Sequence, residues 1–399
     1  TAIINAQVVG PQGIVLIQGD VIAATGLDVV PEGAAIIDVK GKHLAPGIVD
    51  LGVFSVDKPA CIAGGITRIA LMPDQRPVLD EPGIVQRSAL AAKPDLWVHP
   101  LAAATRGLAG HELGEYAMMR RAGARGVATG RGWVSDSGVM LKALRYAASL
   151  GLVMISHGED GGLTAGAVAT SGETATRLGL ASAPAGAEAI AIARDLALAE
   201  LAGARLHFRQ VTTATGFALI RAAKAKGVPV TCGISPAHLL LSDIAISDFR
   251  TFARLSPPLR CEADRQAALA AVGDGTVDIL CSAHDPRGPE AKRLPFADAE
   301  PGAAGAETLL ALGLGLVRDG LISLDRLFAM LATAPSVLLG VPSGVIAAGA
   351  PADFVVFDAD KPWIITAASF AGSARNTPFD HLPVQGQALM TIKGGRRLR

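Results

Sequence analysis

Hydrophobic and polar positions alternate differently at the two ends of the chain than in its middle. Residues 1–43 and 344–399 carry short apolar runs separated by Gly, Asp and Pro. This pattern predicts β-strands joined by hairpins and turns. Because both ends share it, we expect residues 1–44 and 344–399 to pair into one small composite β-sandwich domain.

Between the two ends the pattern becomes strand, loop and helix, repeated. The stretch "SGVMLKALRYAASLGLVMISHGED" predicts a helix followed by a buried strand, and "TGFALIRAAKAKGVPVTCGISP" predicts the same pair again. Roughly eight such units fit between residues 45 and 335, which is typical of an α/β fold of the TIM-like (β/α)8 type. The predicted barrel domain covers residues 45–343. Its site residues should lie at the carboxyl ends of the strands.

Composition narrows the class of protein further. The 399 residues include 36 basic and 36 acidic side chains, with no basic block, so nucleic acid is not an expected partner. No apolar run is long enough to span a membrane, and no signal peptide opens the sequence, so we expect a soluble cytoplasmic protein. The four cysteines form no Cys-x-x-Cys pair and are predicted to be buried, reduced thiols: Cys61, Cys232, Cys261 and Cys281.

Ten short motifs together resemble the dihydroorotase family of the amidohydrolase superfamily. In chain order they are "APGIVDL", "AGGITRIALMPD", "LGLVMISHGED", "RLHFRQVTTATG", "SPAHLLLSD", "SPPLR", "AVGDGTVDILCSAHDP", "GAAGAETLLAL", "GVIAAGAPADFVVFD" and "NTPFD". The resemblance runs nearly end to end and implies the amidohydrolase type of barrel with a β-sandwich. It also implies hydrolytic opening or closing of a cyclic amide. One or two zinc ions held by histidines and carboxylates would activate water, and an aspartate on the last barrel strand would move the proton.

The first barrel strand departs from the family pattern. The family ends this strand with Asp-x-His-x-His, and both histidines bind metal. Here the stretch is "DLGVF", with Gly52 and Phe54 in the ligand positions. The arginine that would hold the substrate carboxylate is replaced by Val56, and the asparagine expected after Met-Pro is Asp74.

The remaining ligand positions depart as well. Thr129 or Gly130 stands where the family has its bridging carboxylate or modified lysine, and nearby Asp136 is predicted to be a helix N-cap instead. In the His-x-x-His motif, His207 matches a residue that does not bind metal, and Gln210 replaces the ligand. Ala283 replaces the proton-moving aspartate.

Among the expected metal and proton-transfer positions, only His157 is retained. We interpret it as a neutral, hydrogen-bonded core histidine rather than a ligand. Its neighbours Glu159 and Asp160 are predicted to hold the loop.

Several further polar residues near the expected site are interpreted as structural. His238 and His284 are expected to pack locally, and Arg260 lies in a loop whose usual asparagine is replaced by Ser256. Arg287 replaces a substrate-binding histidine.

The sequence therefore predicts no metal site, no cofactor and no catalytic residue. Dihydroorotase-like chains without metal ligands are companions of aspartate transcarbamoylase, so the resemblance implies a scaffold partner of that enzyme's catalytic chain in pyrimidine (UMP) biosynthesis, within a homo- or hetero-oligomer. Two alternatives stay open. One is a cyclic-amide hydrolase that interconverts N-carbamoyl-aspartate and dihydroorotate with an atypical zinc site. The other is a metabolite-binding regulatory module.

Overall fold

The computed structural model describes residues 1–399. The strands are β1 (Ala2–Ile4), β2 (Gln7–Val8), β3 (Ile14–Gln18), β4 (Val21–Leu27), β5 (Ile36–Asp38), β6 (His43–Pro46), β7 (Ile48–Val53), β8 (Ile66–Leu71), β9 (Trp97–Ala103), β10 (Gly126–Ala128), β11 (Met154–Ser156), β12 (Ala169–Thr170), β13 (Ser182–Ala183), β14 (Leu206–Phe208), β15 (Val230–Ile234), β16 (Ile279–Leu280), β17 (Phe354–Ile364), β18 (Pro383–Lys393) and β19 (Arg396–Arg397). The helices are α1 (Lys58–Ala63), α2 (Pro82–Leu90), α3 (Tyr116–Arg121), α4 (Ser137–Ser149), α5 (Gly161–Thr164), α6 (Glu173–Leu178), α7 (Gly186–Ala202), α8 (Ala214–Ala225), α9 (Pro236–Leu240), α10 (Glu262–Gly273), α11 (Pro289–Lys292), α12 (Leu309–Arg318), α13 (Leu324–Phe328) and α14 (Ala334–Leu339).

Eight parallel strands form the centre of the molecule. Their spatial order is β7, β8, β9, β10, β11, β14, β15 and β16, so neighbours in space follow each other along the chain. Every residue of β7 and β8 is buried, as expected for a parallel sheet with both faces covered. The predicted TIM-like (β/α)8 barrel is confirmed.

The barrel is closed between β7 and β16 by only a few contacts. The Phe54 N–H donates to the carbonyl of His284 at 2.9 Å. The buried carboxylate of Asp50 accepts the N–H of Ser282 at 2.9 Å, and it also accepts the Ser282 hydroxyl. Burial raises the pKa of Asp50 to about 6, although the hydrogen bonds from Ser282 act in the opposite direction. The side chain of Asp50 therefore supplies hydrogen bonds between β7 and the segment that follows β16 in place of part of the backbone pairing.

Two further sheets lie at the chain ends. One contains β4, β3, β1 and β5, and the other contains β19, β18, β17, β6 and β2, so the second sheet uses strands from both ends of the chain. A buried ion cluster joins this region to the barrel: Arg68 on β8 and Lys393 on β18 both hold the carboxylate of Asp353, at 2.9 Å each. The limits proposed for the two domains, 1–44 with 344–399 and 45–343, stay a prediction.

The prediction that all four cysteines are buried is wrong for one of them. Cys61, Cys232 and Cys281 are buried, but Cys261 is exposed. It occupies the N-cap position of α10, where the chain turns outward before the helix, and its thiol points to Asp264 at 3.4 Å. No helix of the chain combines the length and the apolar character that crossing a bilayer requires.

Candidate active site at the barrel mouth

The carboxyl ends of the barrel strands enclose a cavity of only about 30 Å³. Sites for small organic molecules usually have volumes of roughly 300–1,000 Å³. The residues around this cavity are Phe54, Arg131, Arg209, Gln210, Ser235, Ala237, His238, Leu255, Ser256, Ser282, Ala283, Asp285, Gly302 and Ala303. They include three of the positions at which the family pattern expects a catalytic or metal-binding group: Phe54, Gln210 and Ala283. Side chains fill most of the space at the barrel mouth.

Gly52 lies in a distortion of the first barrel strand. The pairing of β7 with β8 shifts register between Leu51 and Val53, and the φ angle of Gly52 is +83°. Only glycine adopts this backbone conformation without strain. A Cβ at this position would also lie 3.3 Å from both Cγ and Cδ of Arg209. The local backbone and the arginine side chain therefore both favour glycine here.

The ring of Phe54 contacts two arginines. The guanidinium carbon of Arg131 is 3.8 Å from the ring centroid, and that of Arg209 is 5.1 Å away. Both distances are within the range of a cation–π contact. Phe54 is buried, and its ring forms part of the cavity wall.

Asp285 holds Arg131 in this position. Its carboxylate accepts hydrogen bonds from Arg131 at 2.6 Å and from Arg287 at 3.2 Å. Strand β16 ends at Leu280, so Asp285 reaches the cavity from the following loop rather than from the strand. The backbone N–H of Arg131 donates to Asp74 at 2.8 Å, which places the acidic residue against the peptide and not in the cavity wall.

Both ring nitrogens of His157 are engaged by protein groups. Nη2 of Arg209 lies 3.3 Å from Nδ1, and a carboxylate oxygen of Glu159 lies 3.3 Å from Nε2. Arginine has only donors, so Nδ1 must be the acceptor and the ring proton must sit on Nε2, which faces Glu159. In this arrangement His157 has no free lone pair to offer a metal ion.

Glu159 belongs to a buried network behind His157. It accepts a hydrogen bond from Arg260 at 2.6 Å, and Arg260 also donates to Thr170 and Thr212. Burial opposes ionisation of Glu159, but the hydrogen bond from His157 and the charge of Arg260 prevail and lower its pKa to about 2. Asp160 caps α5 by accepting the N–H groups of Gly162 and Leu163. These contacts agree with the structural role predicted for Glu159, Asp160 and Arg260.

The other expected ligand positions offer no ligand. Thr129 uses its hydroxyl oxygen to accept the His157 N–H at 3.0 Å. Gly130 has a φ angle of +78°, and a Cβ there would lie 2.7 Å from a carboxylate oxygen of Asp74. Ala283 also has a positive φ angle, of 49°. Asp136 caps α4 by accepting the N–H of Val139 at 2.9 Å, which confirms its predicted role.

Three more histidines near the barrel interior are buried and held by local contacts. Nδ1 of His207 pairs with the Thr231 hydroxyl at 2.8 Å, and burial lowers the pKa of His207 to about 3. His238 donates from Nε2 to the Pro257 carbonyl and accepts from Ser235 through Nδ1. His284 accepts the Ala306 N–H at 3.3 Å.

The side chains at the barrel mouth do not fit a zinc ion. Zinc sites in proteins use three or four ligands from Cys, His, Asp and Glu. No group of three or more such residues comes together in this chain. The positive charge nearest to the retained histidine is instead the guanidinium of Arg209, which would repel a metal ion. That the protein binds no metal in solution stays a prediction.

Two residues of this arrangement were not singled out by the sequence. Arg209, directly after β14, and Asp285, in the loop after β16, bring opposite charges to the cavity. The signal for Arg209 was present in "LHFRQ", where a charged residue directly follows a buried strand. Asp285 stands two positions after Ala283, so it would share that residue's face only if the strand continued, and the strand ends at Leu280.

Comparisons with known proteins agree with the fold and motifs. A family profile described as "Dihydro-orotase-like" matches residues 41–215. A dihydroorotase of Citrifermentans bemidjiense is 35% identical, with 98% of this chain and 94% of the relative covered. A "Dihydroorotase-like protein" of Pseudomonas aeruginosa is 37% identical, with 90% and 88% covered. The L-hydantoinase (dihydropyrimidinase) of Arthrobacter aurescens superimposes with a TM-score of 0.86 at 25% identity, with 100% and 95% covered.

The barrel with its sheets from the chain ends is thus the fold of the amidohydrolase superfamily. Within that superfamily, the chain belongs to the dihydroorotase-like family, because relatives with this name match it at 35–37% identity over nearly its full length.

Proposed function

We propose that this protein is a catalytically inactive member of the dihydroorotase family and acts as a structural partner of the aspartate transcarbamoylase catalytic chain. The proposal of catalytic inactivity rests on one observation: side chains fill the barrel mouth. Phe54 and Arg209 fill the space beside His157, and the cavity that remains measures about 30 Å³. A dihydroorotate molecule has eleven non-hydrogen atoms and needs several times this volume.

The chemistry of the side chains supports the same proposal. Opening a cyclic amide requires an activated water and a group that moves a proton. Ala283 stands at the position of the proton-moving aspartate. The nearby carboxylate of Asp285 forms ion pairs with Arg131 and Arg287. No residue at the mouth combines the free carboxylate and the open space that general base catalysis needs.

The partner rests on the family resemblance alone. The (β/α)8 barrel and the sheets from the chain ends keep the family fold although little space is left at the barrel mouth, and this combination is compatible with a purely structural role. A scaffold that holds transcarbamoylase trimers is such a role.

The test of catalysis combines two measurements on freshly purified protein. Metal content by mass spectrometry should give no stoichiometric zinc, and dihydroorotate turnover with added zinc should not exceed the rate without protein. Zinc near one ion per chain together with turnover would refute the proposal.

The test of the partner is a mixing experiment. The protein and the transcarbamoylase catalytic chain of the same organism are combined and analysed by size-exclusion chromatography with light scattering. We expect one larger particle with a fixed ratio of the two chains. An unrelated (β/α)8 protein of similar size serves as the control. Separate elution at micromolar concentrations of both chains would count against the scaffold role.

A second candidate is a dihydroorotase or related hydrolase with an atypical metal site. The names of the relatives at 35–37% identity favour it. This candidate predicts both zinc and turnover in the first test, so the two proposals give opposite results.

A further inference from the structure

A second cleft lies at the end of the barrel opposite the mouth, where the strands begin. Its volume is about 390 Å³, whereas the cavity at the mouth measures about 30 Å³. Seven of its twelve lining residues are hydrophobic. Sites for small organic molecules have volumes of roughly 300–1,000 Å³ and mostly apolar walls with a few polar groups. This basal cleft therefore has the size and the lining of a small-molecule site, which the barrel mouth does not.

Regular secondary structure forms the walls of the basal cleft. One wall contains the first residues of β14, β15 and β16, which are Leu206, Val230 and Ile279. The other wall contains α14 and the turn that precedes it, Ala329–Thr333, which is π-helical. Single π-helical turns are rare and occur frequently at functional sites. Because strands and helices hold both walls, the cleft is formed before any ligand arrives.

Apolar surface remains exposed beside the cleft. Val337 on α14 lines it and is 70% exposed, although the next residue, Leu338, is buried. A single exposed valine is common on protein surfaces. Here, however, the exposed side chain continues the apolar wall of a cleft. A ligand that covers Val337 together with this wall would gain free energy by removing their surface from water.

One accessible charge at the cleft has no counter-ion. Arg205, directly before β14, donates from Nη2 to the carbonyls of Leu338 at 2.9 Å and Val337 at 3.5 Å. Its Nε and Nη1 atoms make no hydrogen bond within the chain, and no carboxylate pairs with the guanidinium. The side chain is exposed, so a ligand in the cleft can reach these nitrogens. Arginine offers only donors, which suit an acceptor such as a carboxylate.

The other polar side chains of the cleft are already engaged. The carboxylate of Asp278 forms an ion pair with Lys224 at 2.7 Å, so its charge is balanced. The hydroxyl groups of Thr231 and Thr333 are hydrogen-bonded within the chain, at 2.8 and 2.7 Å. The uncompensated charge at the cleft is therefore the positive charge of Arg205.

We propose that the basal cleft binds a small carboxylate with an apolar tail. The tail lies between the strand starts and α14 and covers Val337, while the carboxylate accepts hydrogen bonds from Arg205. At roughly 30 Å³ for a water-sized group, the cleft has room for about a dozen such groups, which sets the size of the ligand. The site lies at the far end of the barrel from the mouth and goes beyond the proposed scaffold role.

The first test compares three probes that share one tail. Octanoate, 1-octanol and octylamine, which is positively charged at neutral pH, are titrated into the full chain by isothermal calorimetry. We expect one octanoate per chain, weaker binding of octanol and the weakest binding of octylamine. No binding of octanoate, or equal affinity for all three, would overturn the proposal. Comparison with 3-phenylpropanoate distinguishes an alkyl tail from an aromatic one, and tighter binding of either acid supports the site.

Variants locate the site. Arg205→Met should weaken octanoate binding about tenfold, which is typical of a lost hydrogen bond to a charged group, and should leave octanol binding unchanged. Val337→Glu should abolish octanoate binding, because it places a carboxylate beside Arg205. Unchanged octanoate binding by Arg205→Met would contradict the proposed contact. The matched controls are Arg145→Met and Val29→Glu, since both residues are exposed and lie outside the cleft.

A protein partner, such as a second copy of the chain, is the competing occupant of the cleft. Light scattering measures the particle mass of the unmodified protein and of Val337→Glu, with and without octanoate. We expect the same mass in all four samples, with octanoate bound only by the unmodified protein. A lower mass for Val337→Glu, without octanoate binding to the unmodified protein, would identify the cleft as a protein contact and refute the proposal.

Discussion

Nη2 of Arg209 lies 3.3 Å from Nδ1 of His157. His157, which the sequence analysis matches to a ligand position of the family, thus faces a guanidinium group, and its other nitrogen faces Glu159. A fixed positive charge and a metal ion repel each other at this distance. Whether a metal ion could bind beside His157 therefore depends more on Arg209 than on the histidine itself.

Restoring two histidines should not restore a zinc site. In the double variant Gly52→His, Phe54→His, the first side chain must adopt a φ angle near +83° and approach Arg209 to 3.3 Å. The backbone strain alone should cost about 1–3 kcal/mol of the free energy of unfolding. We expect less stable protein, no bound zinc by mass spectrometry and no dihydroorotate turnover.

The control for this experiment is Gly132→His, because Gly132 is exposed and no atom lies within 4 Å of a Cβ placed there. Stoichiometric zinc in the double variant but not in the control would show that the barrel mouth accepts a metal despite Arg209.

Glu159 should make the protein sensitive to acid. Its pKa is about 2 in the folded protein and 4.5 in the reference state, so its ionised form stabilises the fold above pH 4.5, and this stabilisation is lost as the pH falls toward 2. The difference corresponds to about 3 kcal/mol. Urea unfolding between pH 2 and pH 6 should show this loss in the unmodified protein and a smaller one in Glu159→Gln.

An exposed carboxylate gives the comparison for Glu159. Glu32→Gln should leave the slope of stability against pH unchanged, because Glu32 is exposed and makes no side-chain contact with a charge. Equal slopes for the unmodified protein and Glu159→Gln would mean that the Glu159–Arg260 pair does not depress the pKa as described.

Asp50 should have the opposite effect in a higher pH range. Its folded pKa of about 6 exceeds the reference value of 3.8, so the folded state holds the proton more tightly and loses stability as the pH rises from 3.8 through 6. The full change is about 3 kcal/mol. Asp50→Asn can keep both contacts with Ser282, and it should remove this part of the pH dependence. Asp28→Asn, at an exposed position, should retain it.

Thiol chemistry tests the burial of the cysteines. One equivalent of a thiol reagent such as DTNB should react quickly with the folded protein, at Cys261, and all four should react after denaturation. Burial raises the pKa of the Cys281 thiol to about 12, which suppresses its thiolate further. The variant Cys261→Ser should show no rapid reaction. Rapid reaction of a second thiol would reveal local opening of the barrel.

The barrel could be predicted from the sequence because its signals are local. Each helix and strand, such as α4 with β11 or α8 with β15, shows its own hydrophobic period, and short loops leave few possible orders of strands. The expectation that the ligands are replaced rests on the same kind of local signal, since Gly52, Phe54 and Gln210 stand at fixed places in recognisable motifs.

The contacts between side chains at the barrel mouth could not be predicted in this way. Arg131, Phe54 and Arg209 come from three separate strand ends, and nothing in their spacing indicates that one ring contacts both guanidinium groups. The exposure of Cys261 was missed because burial depends on the direction in which a loop leaves the barrel. The residues that neighbour Cys261 in the sequence do not determine this direction.

The distorted backbone at Gly52 also limits how the chain can change. Any side chain at this position meets a strained φ angle and the methylene groups of Arg209, whereas removal of Arg209 alone leaves Phe54 and His157 without their shared partner. We therefore expect each of these single substitutions to lower stability before it can bring any new binding. A histidine at position 52 would therefore be tolerated only together with changes in the local backbone and at Arg209, so several substitutions would have to occur at once.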